Sequence, residues 1–106
     1  MNYFLAIVNE HATDIKIITE DKVLDDKLVS LPNNEYVRAL ADEIIELSHQ
    51  NNLYHNDIKR IGLKVDDISL IGYGDIKSLH RDLESTFGFE AVINDDYEAL
   101  LVQLTK

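Results

Sequence analysis

The chain contains no cysteine, and this absence excludes disulfide frameworks, thiolate zinc sites and cysteine nucleophiles. Basic residues are also scarce: 10 Lys and Arg stand against 20 Asp and Glu, which gives a formal net charge of -10. A field of that sign repels phosphate backbones and anionic lipids, so we expect no nucleic-acid partner and no membrane partner. No apolar run is long enough to span a bilayer, and the first residues lack the basic flank of a signal peptide. We therefore expect a cytoplasmic protein.

The composition that remains is that of one globular domain. The chain has 106 residues, of which 45% are apolar, and it has no low-complexity tract. This length is sufficient for a single hydrophobic core and short for two. We therefore predict a single domain over residues 1–106.

The first third of the sequence predicts three strands. Residues 3–8 form an unbroken apolar run, which is typical of a central strand covered on both faces. Residues 14–20 alternate and predict a second, antiparallel strand. Residues 23–31 carry apolar side chains around three charged ones. This pattern predicts an outer strand that ends at Pro32 and that can contain a bulge. The three together form an antiparallel meander.

The remainder predicts helices and strands in turn. After Pro32, Asn33 or Asn34 is placed to cap a helix with apolar residues at helical spacing. Residues 58–65 predict a strand parallel to the first, because the helix provides a long enough crossover. Asp75 is placed to cap a second helix, whose apolar stripe comprises Ile76, Leu79, Leu83 and Phe87.

The end of the chain predicts one more strand and one more helix. Gly88 follows the second helix as its C-terminal stop, and residues 89–93 form a fifth strand. Asp95 or Asp96 can then cap a third helix. The predicted fold is thus α/β, with a five-stranded mixed sheet in the order β-β-β-α-β-α-β-α and helices on both faces. This is the layout of the ribonuclease H-like fold, which includes each lobe of the actin-like ATPases.

An ordered set of segments resembles one lobe of the ROK family of repressors and sugar kinases. Residues 4–8 with 13–16 resemble the first hairpin of that family, and residues 40–47 with 58–63 resemble its first helix and the strand that follows. Residues 71–73, Ile-Gly-Tyr, resemble its Leu-Gly-Trp segment. Residues 79–95 resemble its helix, glycine, strand and Asn-Asp signature. The resemblance covers almost the whole chain.

The resemblance implies roles for three residues. Asp95 corresponds to the general base that takes a proton from the sugar hydroxyl, and Asn94 to the amide that binds the sugar. Tyr73, at the family's Trp, is a further candidate for ligand binding. A carboxylate beside a helix N-terminus stays ionised, which suits a base. The same residue types also suit a strand-end turn and a helix cap, and that alternative stays open.

Departures from the family pattern argue against catalysis. The aspartate of the phosphate loop falls at Val8, and Glu10, His11 and Ala12 replace its two glycines, so that a carboxylate would meet phosphate. The nucleotide-binding second lobe lies outside the resemblance, which excludes a complete sugar kinase for this chain alone. We expect no cofactor.

The sequence also predicts no metal site. The four histidines, His11, His49, His55 and His80, have no metal-ligand spacing. Asp66 and Asp67 are interpreted as a solvated strand end rather than as metal ligands.

Three function classes remain open. The first is a stand-alone, degenerate ROK-like lobe that is non-catalytic and binds a small sugar-like ligand or a protein; we expect it to be a regulator and a homodimer. The second is one lobe of a split sugar kinase that a partner chain completes. The third is an acidic inhibitory or immunity-type protein that binds a basic partner. A nuclease ranks last, because the first strand offers no carboxylate before Glu10.

Overall fold

The first strand, β1 (Tyr3–Val8), lies in the middle of a five-stranded sheet, as its unbroken apolar sequence predicts. The computed structural model describes residues 2–53 and 58–106. The strands β2 (Thr13–Thr19) and β3 (Lys22–Val29) extend the sheet antiparallel on one side of β1. The strands β4 (Arg60–Lys64) and β5 (Glu90–Asn94) extend it parallel on the other side. The spatial order is β3-β2-β1-β4-β5.

The predicted bulge in β3 is confirmed. Ile17 lies opposite Asp25, whereas its neighbour Ile18 lies opposite Val23, so that Leu24 is the extra residue. A bulge bends a strand and increases its twist, and it is common at sheet edges.

Three helices follow the predicted order. They are α1 (Tyr36–Gln50), α2 (Ile76–Phe87) and α3 (Tyr97–Leu104). Asp75 caps α2 by accepting from the Ser78 N–H at 2.9 Å, and Gly88 ends it with a φ of 78°. Both features confirm the sequence prediction, since only glycine adopts such a backbone conformation without strain.

The predicted cap of α1 was wrong. Residues Asn33–Glu35 form a short 3₁₀ helix, Glu35 takes the position before α1, and no side chain caps either helix. The reason is tertiary packing: a Cβ added at Gly72 would lie 2.5 Å from the Asn33 backbone oxygen. The backbone of Asn33 is therefore fitted against a second 3₁₀ helix, Ile68–Ile71, whose left-handed end is Gly72.

The two faces of the sheet bury different helices. The larger cluster joins one face to α1 and α2 and includes Phe4, Ala6, Val8, Ile15, Ile17, Leu40, Ile44, Ile61, Leu63, Leu79, Leu83 and Phe87. The smaller cluster joins the other face to α3 and consists of Tyr3, Leu5, Ile18, Leu100 and Leu104. The alternation of β1 between the two clusters explains why it has no polar face. Helices thus lie on both faces, as predicted.

Two residues of β4 fix the position of α3. A Cβ added at Gly62 would lie 2.4 Å from Leu104 Cδ1, so the glycine allows the helix to approach the sheet closely. The guanidinium of Arg60 donates to the backbone oxygens of Leu104 at 3.1 Å and Lys106 at 2.8 Å. A cation at the end of a helix also interacts favourably with its dipole.

One predicted core residue lies elsewhere. Ile76 belongs to the expected apolar stripe of α2, but 51% of its surface is exposed. It is the first residue of the helix and projects at the end of the sheet, where the site described below begins. In the part of the chain that the structure describes, no helix has both the length and the apolar character needed to cross a membrane.

Candidate functional site

An open hollow of about 470 Å³ lies at the carboxyl ends of β4 and β5, and we call it the strand-end hollow. Its lining consists of Val65, Asp66, Asp67, Ile68, Ile76, Ile93, Asn94 and Asp95. Crevices at the carboxyl ends of parallel strands are common ligand sites in α/β proteins. The hollow therefore contains two of the three residues that the sequence nominates, Asn94 and Asp95.

The sheet itself creates this hollow. Lys64 and Asn94 are the last paired residues of β4 and β5, and the Val65 N–H still donates to the Asn94 oxygen at 3.1 Å. Beyond that bond the chain turns to the 3₁₀ helix on one face after β4 and to α3 on the other face after β5. The divergence of the two connections leaves a crevice.

Asn94 has a structural role in this crevice. Its Oδ1 accepts from the Asp96 N–H at 2.9 Å, and its Nδ2 donates to Gln103 Oε1 at 3.2 Å. Asp96 in turn caps α3 by accepting from the Glu98 N–H at 3.2 Å. The strand-end turn and helix cap, which the sequence left as the alternative interpretation, are therefore both present. The amide of Asn94 still has one further donor and one further acceptor position.

Asp95 differs from both of its neighbours. Because Asp96 is the helix cap and Asn94 forms the turn, neither task falls to Asp95. Its side chain is exposed, and within residues 2–53 and 58–106 its carboxylate has no hydrogen bond or ion pair. A carboxylate in this state accepts hydrogen bonds at both oxygens without first breaking a contact.

The two carboxylates on the opposite rim are already engaged. Asp66 pairs with the ammonium of Lys64 at 2.9 Å. Asp67 caps the 3₁₀ helix by accepting from the Ser69 hydroxyl at 2.7 Å and the Ser69 N–H at 3.0 Å. These two hydrogen bonds, the hydroxyl first, lower the pKa of Asp67 from its ordinary value. The hollow is thus an acidic crevice in which Asp95 is the free acceptor.

The other sequence candidates lie away from the hollow. The hydroxyl of Tyr73 donates to Asp82 Oδ2 at 2.6 Å, and Tyr73 packs against the larger core cluster. Burial, followed by the hydrogen bond to Asp82, raises the pKa of Tyr73 to about 12. Tyr73 does not line the strand-end hollow, and the structure does not join it to Asn94 and Asp95.

The histidines that the structure describes belong to no metal centre. Nε2 of His80 lies 2.9 Å from the Ala91 oxygen, and His11 is exposed beside Glu10 at 4.0 Å. His55 lies outside the described residues. Across residues 2–53 and 58–106, no group of three or more His, Asp or Glu side chains is arranged to hold a metal ion.

The turn between β1 and β2 occupies the place of the phosphate loop in the resemblance. The Asn9 N–H donates to the Ala12 oxygen at 2.9 Å, which closes a tight turn. Glu10 and His11 project from this turn and are exposed. The turn therefore presents a carboxylate where a phosphate-binding loop presents backbone N–H groups.

Sequence reasoning missed the second wall of the hollow. Asp66 and Asp67 are exposed just beyond the end of β4, as predicted, but the sequence does not show that they face Asn94 and Asp95, and it predicts a core position for Ile76. The available signal was the parallel pairing of β4 and β5, which brings residues 65–68 and 93–95 to one edge.

Comparison with known proteins shows the fold. No family model matches the chain, and no curated protein matches it significantly. Among solved structures, a ROK hexokinase from Thermus thermophilus is similar with a TM-score of 0.66 at 14% identity, over 89% of this chain and 33% of the hexokinase. YeaZ from Pseudomonas aeruginosa is similar with a TM-score of 0.61 at 9% identity, over 96% of this chain and 47% of YeaZ.

These likenesses confirm the predicted fold class. The chain is an α/β protein with a five-stranded mixed sheet of the actin-like, ribonuclease H-like kind. It spans about a third of the length of the hexokinase and about half of that of YeaZ. At such low identities the similarity concerns the fold and does not extend to activity.

Proposed function

We propose that the chain is a degenerate, non-catalytic lobe of the ROK type that binds a small hydroxyl-rich ligand, such as a sugar, in the strand-end hollow. The observation that carries the proposal is the free carboxylate of Asp95 at the mouth of a crevice at the carboxyl ends of two parallel strands. The volume of about 470 Å³ is in the range of small-molecule sites, roughly 300 to 1,000 Å³.

The chemistry of the lining suits a sugar better than an anion or an apolar ligand. Asp95 and the remaining acceptor position of Asn94 can receive hydroxyl hydrogens, and charge-assisted bonds of this kind are the stronger ones. Ile76 and Ile93 offer an apolar wall for the C–H face of a ring. The carboxylates of Asp66 and Asp67 on the other rim repel a phosphate or carboxylate ligand.

The turn between β1 and β2 supports the absence of catalysis. Phosphoryl transfer depends on positioning and on neutralising the charge of the phosphates. Glu10 places negative charge at this turn, and the Asn9 to Ala12 bond uses one of its N–H groups internally. We infer that Asp95 binds without acting as a base.

A second candidate is one lobe of a split sugar kinase. The observation that favours it is the partial alignment, since the chain matches 33% of a hexokinase, a protein whose name denotes phosphorylation of hexoses. In this case a second chain supplies the nucleotide site, and Asp95 keeps its role as a base. Sugar phosphorylation by a complex isolated from the native source, and its loss in Asp95→Asn, would favour this candidate over the first.

The first test is thermal unfolding with a panel of hexoses and amino sugars. A ligand at one hundred times its dissociation constant adds about 2.7 kcal/mol to the free energy of unfolding. For a domain of this size that raises the Tm by roughly 10 °C or more. We expect at least one sugar to do so, and we expect Asp95→Asn to lose the shift.

The matched control is Asp42→Asn, which removes the same charge from the exposed surface of α1. This variant should keep the full shift. Stabilisation by no sugar in the panel, or an equal shift in Asp95→Asn and the unchanged chain, would overturn the proposal.

A further inference from the structure

The strand β3 forms one edge of the sheet, and among residues 2–53 and 58–106 it pairs only with β2. A strand at an edge has unpaired backbone N–H and C=O groups on its outer side, and these can pair with another chain. Three of its large apolar side chains are exposed: 54% of Val23, 46% of Leu24 and 67% of Leu28. Edge position and exposed apolar side chains together indicate an interaction surface.

The exposed apolar side chains belong to the face that α3 covers elsewhere. Val23 lies opposite Ile18, a member of the smaller core cluster, and Leu28 lies opposite Asp14. The helix α3 packs on β4 and β5, at the other end of the sheet. Because side chains alternate along a strand, Leu24, Asp26 and Leu28 share this open face.

We propose that β3 pairs antiparallel with β3 of a second copy of this chain, about a twofold axis through Asp26, and so continues the sheet from one copy into the next. In this register Asp25 lies opposite Lys27 of the second copy, and Lys27 lies opposite Asp25. Leu24 lies opposite Leu28 in the same way. The pairing thus forms two charge pairs on one face and two leucine pairs on the other.

Symmetry and charge select this register from the alternatives. A twofold axis perpendicular to the sheet keeps each face continuous, so residues opposite each other must share a face and the axis passes through a residue. An axis through Asp25 sets that residue against itself and Leu24 against Asp26. An axis through Lys27 sets two lysines together and Leu28 against Asp26.

An axis through Leu24 pairs Lys22 with Asp26 and Leu24 with itself, but it sets the bulge against its own copy and Val23 against Asp25. The register through Asp26 joins opposite charges and joins leucines without placing the bulge on the axis.

The central Asp26 meets its own copy, and a nearby cation that it shares with Asp14 reduces this repulsion. The ammonium of Lys16 lies 3.5 Å from the Asp26 carboxylate and 3.2 Å from that of Asp14. Asp25 and Lys27 contact α1 through their side chains. Asp25 Oδ1 also accepts from the exposed Asp26 N–H at 2.8 Å, a bond that pairing with a second copy must replace. Lys27 lies 2.8 Å from Glu43, and the Asn51 amide donates to Asp25 at 2.8 Å.

A charge exchange between two chains tests this pairing. Asp25→Lys puts lysine opposite lysine, and Lys27→Asp puts aspartate opposite aspartate, so each variant alone should dimerise about tenfold or more weakly than the unchanged chain. An equimolar mixture of the two variants restores both opposite-charge pairs. We therefore expect the mixture to form a heterodimer about as stable as the original dimer.

Sedimentation equilibrium measures the dissociation constants of these dimers. At about 0.15 M ionic strength, charges more than about 8 Å apart are largely screened, so the net charge of each chain has little effect on the result. Recovery on mixing also shows that the loss of dimerisation comes from the interface. In the mixture, one chain still lacks the contact of Asp25 with Asn51 and the other still lacks the contact of Lys27 with Glu43, so the loss of these same-chain contacts cannot explain a recovery. A monomer at all accessible concentrations, or a mixture that associates no better than the single variants, would overturn the proposal.

A second pair of variants tests the leucine contacts. Leu28→Lys places a charge opposite Leu24 and should abolish dimerisation while the monomer stays folded, since 67% of Leu28 is exposed. Val102→Lys changes a residue of similar exposure, 59%, on α3 and should leave dimerisation unchanged. An equal effect of the two variants, or a dimer that survives Leu28→Lys, would contradict the assignment of β3 as the interface.

Discussion

The two edges of the sheet are protected in different ways. At the β5 edge, side chains of α2 bond directly to the strand backbone: Glu84 accepts from the Ala91 N–H at 3.1 Å, and Nε2 of His80 lies 2.9 Å from the Ala91 oxygen. At the β3 edge, the contacts to α1 run between side chains, as in the pair of Lys27 and Glu43 at 2.8 Å. The β5 edge is thus closed to a further strand at Ala91. At the β3 edge, which we call the open edge, these contacts to α1 do not involve the strand backbone, and the Asp26 N–H donates to Asp25 Oδ1 of the same strand at 2.8 Å.

The comparison shows that the burial of a residue, more than its type, determines how much it stabilises the fold. Leu100 in α3 is fully buried against β4 and β5, whereas Leu28 in β3 has 67% of its surface exposed. Both are leucines in regular secondary structure. The first stabilises the fold of one chain, and the second is available to another.

The largest expected effect is on the packing of α3 against β4 and β5. Leu100→Ala should lower the free energy of unfolding by about 3 kcal/mol, because it leaves a cavity between α3 and the sheet. Leu28→Ala should change it by less than about 0.5 kcal/mol when measured below the dimerisation range. Urea unfolding of both variants at low concentration gives the difference, and similar losses in the two would show that β3 is covered after all.

A smaller effect concerns the contact between α1 and β2, the strand that pairs with β3. The hydroxyls of Tyr36 in α1 and Thr13 in β2 hydrogen-bond each other, and both residues are buried. Burial raises the pKa of Tyr36 from its ordinary value of 10.0 to about 12. The folded chain therefore holds this proton more tightly than the unfolded chain, and the contribution is complete below pH 10.

It follows that stability should fall between pH 10 and pH 12 by up to about 2 kcal/mol through this group. Tyr36→Phe has no proton to lose and should show a shallower decline over the same interval. Urea unfolding at several pH values measures both slopes. Equal slopes would mean that the Tyr36 hydroxyl titrates in the folded state as it does in water.

The smallest effect opens the closed edge. Glu84→Ala removes the acceptor of the Ala91 N–H and should destabilise the fold by about 1 kcal/mol, with faster hydrogen exchange at that amide. Glu84→Gln keeps an acceptor oxygen at the same position and should lose less. Unchanged exchange at Ala91 in Glu84→Ala would show that the edge is protected by some other contact.

The fold was accessible from the sequence because its signals are local and repeated. The apolar run of β1, the cap at Asp75 and the glycine at Gly88 each have one favoured structure, and all three predictions were confirmed. The cap of α1 was wrong because a tertiary contact decides it: the approach of Gly72 to the Asn33 backbone joins segments far apart in sequence. Such an approach leaves no local pattern.

The candidate site was accessible only in part, for a similar reason. The sequence places Asn94 and Asp95 at a strand end, but it leaves Asp95 and Asp96 as equal candidates for the helix cap. The assignment of the cap to Asp96 is what frees Asp95, and it depends on the turn that Asn94 makes. Tyr73, which the resemblance nominates, contacts Asp82 and does not line the hollow. The sequence could not show this, because the directions of the connections that form the hollow leave no local pattern.

The central place of β1 also has a consequence for the order of folding. Phe4 pairs with Ile17 across a short hairpin, but it pairs with Ile61 only after the whole of α1 has been crossed. The meander of β1, β2 and β3 has low contact order and should form early, whereas the parallel half must first close a long loop. Until β4 arrives, β1 is itself an exposed edge with apolar side chains on both faces. We expect this intermediate arrangement to be the state in which a newly made chain is most prone to aggregate and most dependent on chaperones.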